Sequence, residues 1–282
     1  MKVILPEKEK INKERMSLYI ICIISCILAV IIVIGIEILG NDMVDNIFGI
    51  NKITKRTEQE EAKLKVDFQN IFDNTLESKD EYNIQKIDKE KQIVYTSYQI
   101  IKKEDNYELN INIPFINISN EEVEKFNKEM SDTFKGKAED ILENAEKNVI
   151  YTVKYKAYLE NDILSVVVYS DLKQEASAQR VIVQTFNFDL KENKKLELED
   201  TLKIYKLNEK EVQNKINDDI KEEQRKTEEL IALGYNMFSR DIESDIYVID
   251  NITEYFVYDN NIYIIFAYGN NQLTSEMDLV IL

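Results

Sequence analysis

Residues that could carry catalytic chemistry are few in this chain of 282 residues. Histidine is absent, and both cysteines, Cys22 and Cys26, lie within one apolar stretch near the start. Catalysis by a Ser–His or Cys–His pair, and zinc sites that use histidine, are therefore excluded beyond that stretch. The six glycines are scattered singly, so the sequence contains no glycine-rich loop that could hold a phosphate.

Carboxylates remain as candidates, because the chain holds 53 acidic residues. A glycosidase pair is recognised by its separation in a cleft, so this surplus alone does not predict hydrolysis. The acidic run at 241–245 alternates like the start of a calcium loop but lacks the glycine and the closing glutamate of an EF-hand. We interpret it as an exposed face of a strand or loop. We expect no enzyme activity, metal or cofactor, and an enzyme that uses carboxylates alone is the weaker alternative.

Six residues are the candidates for ligand binding. Four of them follow an apolar strand and combine an aromatic ring, a glycine and two amides, which could form a binding rim. The same four also suit a turn, because glycine and asparagine tolerate positive φ. The other two directly precede a predicted strand. The complete set is Gln179, Arg180, Tyr268, Gly269, Asn270 and Asn271.

The charge of the chain is strongly acidic, with a formal net charge of −17 at pH 7. The first forty residues hold five basic and four acidic side chains, so the other 242 residues hold 31 and 49, a net of −18. An acidic domain repels phosphate backbones and attracts basic proteins, so we do not expect nucleic acid as a partner. The same acidity also keeps a surface domain soluble.

The apolar stretch at 17–36 contains no charged residue and no proline. A helix of this length covers about 30 Å, the hydrocarbon thickness of a bilayer. Five basic residues precede it, against Lys52, Lys55 and Arg56 after it, which favours a cytoplasmic N-terminus and an extracellular C-terminal domain. The stretch is too long for a signal peptide, and apolar residues continue past the lipobox-like 23–26, so we expect an uncleaved anchor.

Three helices are predicted from apolar side chains at spacings of three and four. The first lies at 57–76. The second begins at a capping box formed by Ser119 and Glu122 and runs to about residue 145. The third runs over 208–233, with Asn208 as its N-cap. Its predicted inner face consists of Val212, Ile216, Ile220, Leu230 and Ile231.

Strands are predicted wherever β-branched and aromatic residues alternate with polar ones. A hairpin ends at Pro114, and two further strands flank the turn Asn161–Asp162. A third strand follows at 181–190, a short strand or loop at 196–198, and four strands complete the chain, at 246–249, 253–258, 261–268 and 277–282. Runs of strands without βαβ regularity predict an α+β fold with antiparallel sheets and two long amphipathic helices, preceded by one N-terminal transmembrane helix.

We divide the chain into five segments. They are a cytoplasmic tail (1–16), a transmembrane helix (17–39), a connector with a helix (40–80), an N-terminal α+β subdomain (81–175) and a C-terminal α+β subdomain (176–282).

Several segments resemble the paired domains of bacterial envelope proteins: DILSVVVYS (162–170), AQRVIVQTFN (178–187), LELEDTL (196–202), IYIIFAYGNN (262–271) and MDLVI (277–281). Over roughly residues 85–282 the chain is similar to the extracellular region of lysozyme-sensing anti-sigma factors and to the non-catalytic part of some peptidoglycan deacetylases. The resemblance implies a Gram-positive-type ectodomain that binds a ligand without transforming it; in the anti-sigma relatives the ligand is lysozyme, a basic protein.

Two features depart from these families. Sixteen residues before the apolar stretch are too few for a sigma-binding region, and the deacetylases add a catalytic domain that needs histidine. We therefore expect a single-pass membrane protein with a non-enzymatic domain that senses or binds lysozyme or peptidoglycan fragments. The alternative is a structural envelope scaffold that docks another membrane protein.

Overall fold

The computed structural model describes residues 50–73, 92–144 and 148–282. The described residues from Ile53 onwards belong to one compact unit. The predicted tail and transmembrane helix (1–39) lie outside the described residues. Within the described ranges, no helix is both long enough and apolar enough to cross a bilayer.

The connector helix is α1, Glu58–Asp73. The Thr57 hydroxyl accepts the Glu60 N–H at 3.3 Å, and the Glu60 carboxylate accepts the Thr57 N–H at 2.8 Å, so the two residues cap the helix reciprocally. Leu64 and Phe68 form its apolar face and pack in the core between the two sheets of the fold. The helix predicted at 57–76 is confirmed as far as Asp73, and 74–76 lie outside the described residues.

Six strands form the larger sheet, and their order in space follows their order in sequence. Its neighbouring strands are antiparallel except for β2 and β3, which are parallel. Parallel neighbours need a long crossover, and a helical segment lies between these two strands in the sequence. The strands are β1 (Val94–Lys103), β2 (Tyr107–Ile116), β3 (Val149–Glu160), β4 (Ile163–Gln174), β5 (Arg180–Asp189) and β6 (Lys194–Lys195).

Pro114 was expected to end β2, but the strand continues to Ile116. The pairing of β2 with β3 ends at Ile111, and Pro114 pairs with Thr96 of β1 where the register shifts. The N–H that proline lacks is therefore not needed by β3, and an irregular edge pair tolerates the residue.

The crossover consists of α2 (Glu121–Met130), a π-helical turn (Ser131–Lys135) and α3 (Gly136–Asn144). Asn120, rather than the predicted Ser119, is the N-cap, and its side chain accepts the Glu122 N–H at 2.9 Å. The buried side chains of the crossover pack on the outer face of the larger sheet; they include Val123, Phe126, Met130, Phe134, Ala138 and Ile141.

The smaller sheet consists of β7 (Tyr255–Tyr258), β8 (Asn261–Ala267) and β9 (Met277–Ile281), all antiparallel. Helices α4 (Leu198–Ile204) and α5 (Glu209–Ala232) cover its outer face. As predicted, the Asn208 side chain caps α5, by accepting the N–H groups of Lys210 and Glu211.

Two local predictions were wrong in this half. The segment at 246–249 lies in two 3₁₀ turns instead of a strand. The segment predicted as a short strand or loop at 196–198 is a loop at 196–197 that leads into α4. Leu230 and Ile231 are exposed, while Thr227 is buried on α5 in their place. The 3₁₀ segment is held by contacts to α5, which the local pattern of apolar residues does not encode.

The two sheets pack face to face, and β4 is buried on both faces. Double burial accounts for the nearly continuous apolar run of β4. Two polar side chains join the sheets: Ser165 accepts the Val257 N–H at 3.1 Å, and Asn187 donates to the Tyr255 carbonyl at 2.7 Å. The subdomain boundary placed after residue 175 falls in the turn between β4 and β5 and stays a prediction.

Candidate ligand-binding cavity

A cavity of about 630 Å³ lies beside the C-terminal end of β8. Ligand pockets usually have volumes of roughly 300–1,000 Å³, so this one can hold a small molecule or a long side chain. Its lining is Met237, Phe238, Ser239, Asp241, Ser244, Ile246, Tyr247, Asn251, Ile252, Thr253, Glu254, Ile265, Phe266, Ala267, Tyr268, Asn270, Asn271 and Gln272.

Two irregular segments that frame the cavity are fastened to α5 by glutamine side chains. Gln224 accepts the Arg240 N–H at 2.7 Å. Gln213 donates to the Tyr247 carbonyl at 2.9 Å and accepts the Ile249 N–H at 3.1 Å. These two segments lack the backbone ladder of a strand, and side-chain hydrogen bonds from α5 hold them in its place. Helix α5 thereby supports the shape of the cavity.

A buried polar network lies behind the cavity. The Arg240 guanidinium forms a bidentate pair with the Asp278 carboxylate, at 2.5 and 2.8 Å. The Tyr268 hydroxyl donates to Asp278, and it lies 2.8 Å from the Tyr247 hydroxyl. Burial and the Asp278 charge raise the pKa of Tyr268, so both tyrosines stay neutral at physiological pH.

The rest of the lining is largely apolar and aromatic. The Phe238 ring stacks on Tyr268 with centroids 4.2 Å apart, and Tyr247 meets Phe266 edge-on at 5.0 Å. Ile246 also lines the cavity and is 43% exposed. Such a surface favours aliphatic groups through burial of apolar area.

Glu254, just before β7, is the unusual polar group of this lining. Its carboxylate accepts the Thr185 N–H from β5 at 2.6 Å and the Thr253 hydroxyl at 3.2 Å. Burial raises its pKa to about 7. Glu254 also lines a second cavity of about 160 Å³ between α2 and β5.

The charges in the 630 Å³ cavity are all negative, since Asp241 and Glu254 line it and no basic side chain does. Among the described residues, neither carboxylate has an ion-pair partner, whereas Asp278 is paired with Arg240. Asp241 accepts only the backbone N–H of Glu243, at 3.2 Å. This arrangement suits a ligand that carries a positive charge. The described part of the chain has no acidic cluster that could hold a metal ion.

Three of the six residues expected to bind a ligand line this cavity: Tyr268, Asn270 and Asn271. Gln179 and Arg180 do not. Gln179 donates to Asp171 on the exposed end of the hairpin.

The strand end at Tyr268–Asn270 is also a joint between the two sheets. Arg180 donates to the Gly269 carbonyl at 2.7 Å and to the Asn270 carbonyl at 3.1 Å. The Asn270 side chain bonds both the N–H and the carbonyl of Val183, each at 2.9 Å. Gly269 is required here because a Cβ would lie 1.7 Å from the Val181 oxygen. The binding role of the six residues stays a prediction.

Sequence reasoning did not single out Asp241, Phe238, Tyr247 or Glu254 as site residues. Asp241 belongs to the acidic run that we interpreted as an exposed face, and it is indeed exposed. Glu254 gave one usable signal, since it is a lone charge at the start of an apolar strand run, YFVY.

No protein-family model and no curated protein matches the sequence. Two of the solved structures that resemble the chain are described as DUF3298 family proteins. The one from Pseudomonas aeruginosa PAO1 is 12% identical, with a TM-score of 0.40, over 66% of this chain and 85% of its own. The one from Bacteroides fragilis NCTC 9343 is 11% identical, with a TM-score of 0.34, over 62% and 80%. Neither description names a ligand or an activity.

Proposed function

We propose that the chain is a membrane-anchored, extracellular binding protein of the bacterial cell envelope, without enzyme activity, that recognises a basic protein such as lysozyme. The observation that carries this proposal is the cavity in which neither Asp241 nor Glu254 forms an ion pair among the described residues. Lys195 acts on Glu254 from a distance, but its own ion pair is with Glu197. A basic protein brings the missing positive charge.

The charge of the whole chain supports the same partner. The 242 residues after the first forty have a net charge of −18, which attracts a basic protein over a distance of about one Debye length, roughly 10 Å at 0.1 M salt. Membrane anchoring is supported by the uncharged stretch at 17–36. A binding role without catalysis agrees with a chain that has no histidine and no cysteine beyond that stretch.

The experiment is a titration of the full chain, in a mild detergent, with lysozyme and separately with soluble peptidoglycan fragments, at low and high salt. We expect lysozyme to bind, with an affinity that falls as salt rises. Lysozyme with acetylated lysines is the matched control, because acetylation removes the charge and keeps the fold. Binding that is unaffected by salt and acetylation would contradict the charge argument. If only the wall fragments bind, they are the partner instead of lysozyme. If neither binds, the proposal is wrong.

A further inference from the structure

The two carboxylates of the cavity need a positive charge for different reasons. Glu254 is half-buried at the edge of β5, and its hydrogen bonds come from neutral groups, Thr185 and Thr253. A carboxylate withdrawn from water is costly unless it is paired or protonated. Asp241 is exposed and adds a second negative charge to the same lining.

The apolar part of the lining sets the shape of the ligand that carries this charge. Phe238, Ile246 and Phe266 offer an apolar surface next to the carboxylates. A compact cation such as ammonium would leave that surface wet, and a neutral sugar would leave both carboxylates unpaired. A charged head on a flexible aliphatic stem satisfies both parts, as lysine and arginine side chains do elsewhere.

We propose that the cavity receives a lysine or arginine side chain of the basic partner, with its aliphatic stem against Phe238 and Ile246 and its charged head at Asp241 and Glu254. This proposal rests on the proposed function and specifies which chemical group of the partner is recognised.

Arginine suits this cavity better than lysine. Its planar guanidinium carries five N–H donors and can serve several acceptors at once. Besides the two carboxylates, the lining contains the side-chain amides of Asn271 and Gln272, whose oxygens are further acceptors. Lysine offers three donors from one point, so it can satisfy fewer of these groups.

The structure also separates this cavity from the internal arginine nearby. Arg240 lies behind the lining, and its guanidinium is held by Asp278, Thr227 and the Phe238 carbonyl. It cannot turn to Asp241 or Glu254 without breaking the buried pair. The buried pair therefore keeps Arg240 away from the two carboxylates.

The test uses the full chain and two small probes, N-acetyl-arginine amide and N-acetyl-citrulline amide, followed by saturation-transfer NMR. Citrulline has nearly the same shape as arginine but carries no charge. We expect the arginine probe to bind at least tenfold more tightly than the citrulline probe. Equal binding of the two probes, or no binding of either, would overturn the assignment of the cavity to a cationic side chain.

The variants Asp241→Asn and Glu254→Gln locate the bound probe. Each should weaken arginine binding several-fold, whereas Glu243→Gln, in the same acidic run but outside the lining, should leave it unchanged. Asp241 is exposed, so its variant should fold even if the Glu254 variant does not. Unchanged binding in the Asp241 variant would overturn the proposal.

The probe titration and the lysozyme titration test different claims, so either claim can be wrong without the other. If lysozyme binds while the arginine probe does not, the cavity assignment is overturned and the proposed function stands. If the probe binds in the cavity while lysozyme does not, the cavity chemistry stands and the proposed partner is wrong.

Discussion

The carboxylate of Glu254 accepts a hydrogen bond of 2.6 Å from the backbone N–H of Thr185, 69 residues earlier in the chain. The bond joins the start of β7 to the edge of β5 that β6 leaves uncovered. The same carboxylate also lines the cavity. Burial raises the pKa of Glu254 to about 7. Its ionisation therefore links stability to pH.

The Glu254→Gln variant should change how stability depends on pH. The pKa of Glu254 is about 7 in the folded state against 4.5 as its ordinary value, so between these values the folded state holds a proton that the unfolded state releases. The contribution of Glu254 to the free energy of unfolding is thus greatest below about pH 4.5. It falls by up to about 3 kcal/mol as pH rises from there through about 7. Glutamine keeps the hydrogen bond to Thr185 and does not titrate.

Urea unfolding of the wild type and the variant at pH 5 and pH 8 measures this effect. We expect the variant to gain stability relative to the wild type on going from pH 5 to pH 8. Glu243→Gln, at an exposed site, should show no such change. A difference between wild type and Glu254→Gln that is the same at both pH values would contradict the raised pKa.

Breaking the buried pair behind the cavity should be strongly destabilising. The Arg240→Met variant leaves the Asp278 carboxylate buried without a cation, which typically costs about 3–5 kcal/mol. Changing Asp278 to Asn in the same chain should restore part of the loss, because the unpaired charge is removed. Arg225→Met is the control, since Arg225 forms exposed ion pairs with Glu222 and Glu229 and should change stability little. Equal effects at both arginines, measured by chemical denaturation, would contradict the network.

The joint between the sheets should tolerate no side chain at Gly269. The Cβ of Gly269→Ala would lie 1.7 Å from the Val181 oxygen and 2.7 Å from the Thr274 oxygen, so backbone must move. We expect a loss of about 3 kcal/mol or more. Gly136→Ala is the matched control, because it lies in a helix with nothing within 4 Å of the new Cβ and should stabilise by about 1 kcal/mol. A thermal unfolding series in which both variants behave alike would refute this joint.

Helix α1 should detach when its buried aromatic residue is removed. Phe68 is 2% exposed and stacks on Phe256 of β7, so Phe68→Ala should cost about 3–5 kcal/mol of docking. The ion pairs Lys65–Glu223 and Lys215–Glu61 are half-buried, and the cost of their desolvation offsets much of their attraction, so they should not replace it.

Hydrogen exchange can separate detachment of α1 from global unfolding. In Phe68→Ala we expect the amides of α1 to lose protection while those of β4 and β5 keep it. Val66→Ala, on the exposed side of the same helix, should leave both unchanged. Loss of protection throughout the chain would show instead that α1 is part of the cooperative core.

Local features of the fold could be predicted because they follow from neighbouring residues. The alternation along β5 identified Val181 and Val183 on one face and Phe186 on the other, as the core shows. Asn208 is predicted as a helix cap because an asparagine stands at the start of the helical pattern. The parallel pairing of β2 and β3 could not be predicted, because the order of strands in a sheet depends on long-range packing.

The candidate site likewise contains residues that the sequence predicts and contacts that it does not predict. Tyr268, Asn270 and Asn271 were found from a local combination of residue types, and they do line the cavity. The partners of Asn270 were not predictable, because Val183 lies 87 residues earlier in the chain. The role of Glu254 also depends on a distant group, the uncovered edge of β5. A single charge beside a strand does not reveal whether its carboxylate is buried.

The most direct test is the affinity of the full chain for lysozyme, compared between the wild type and a double variant, Asp241→Asn with Glu254→Gln, at low salt. We expect the double variant to bind at least tenfold more weakly, although it folds as the wild type does by circular dichroism, and we expect Glu243→Gln to bind as the wild type. An unchanged affinity in the folded double variant would contradict recognition of a cationic partner at this cavity.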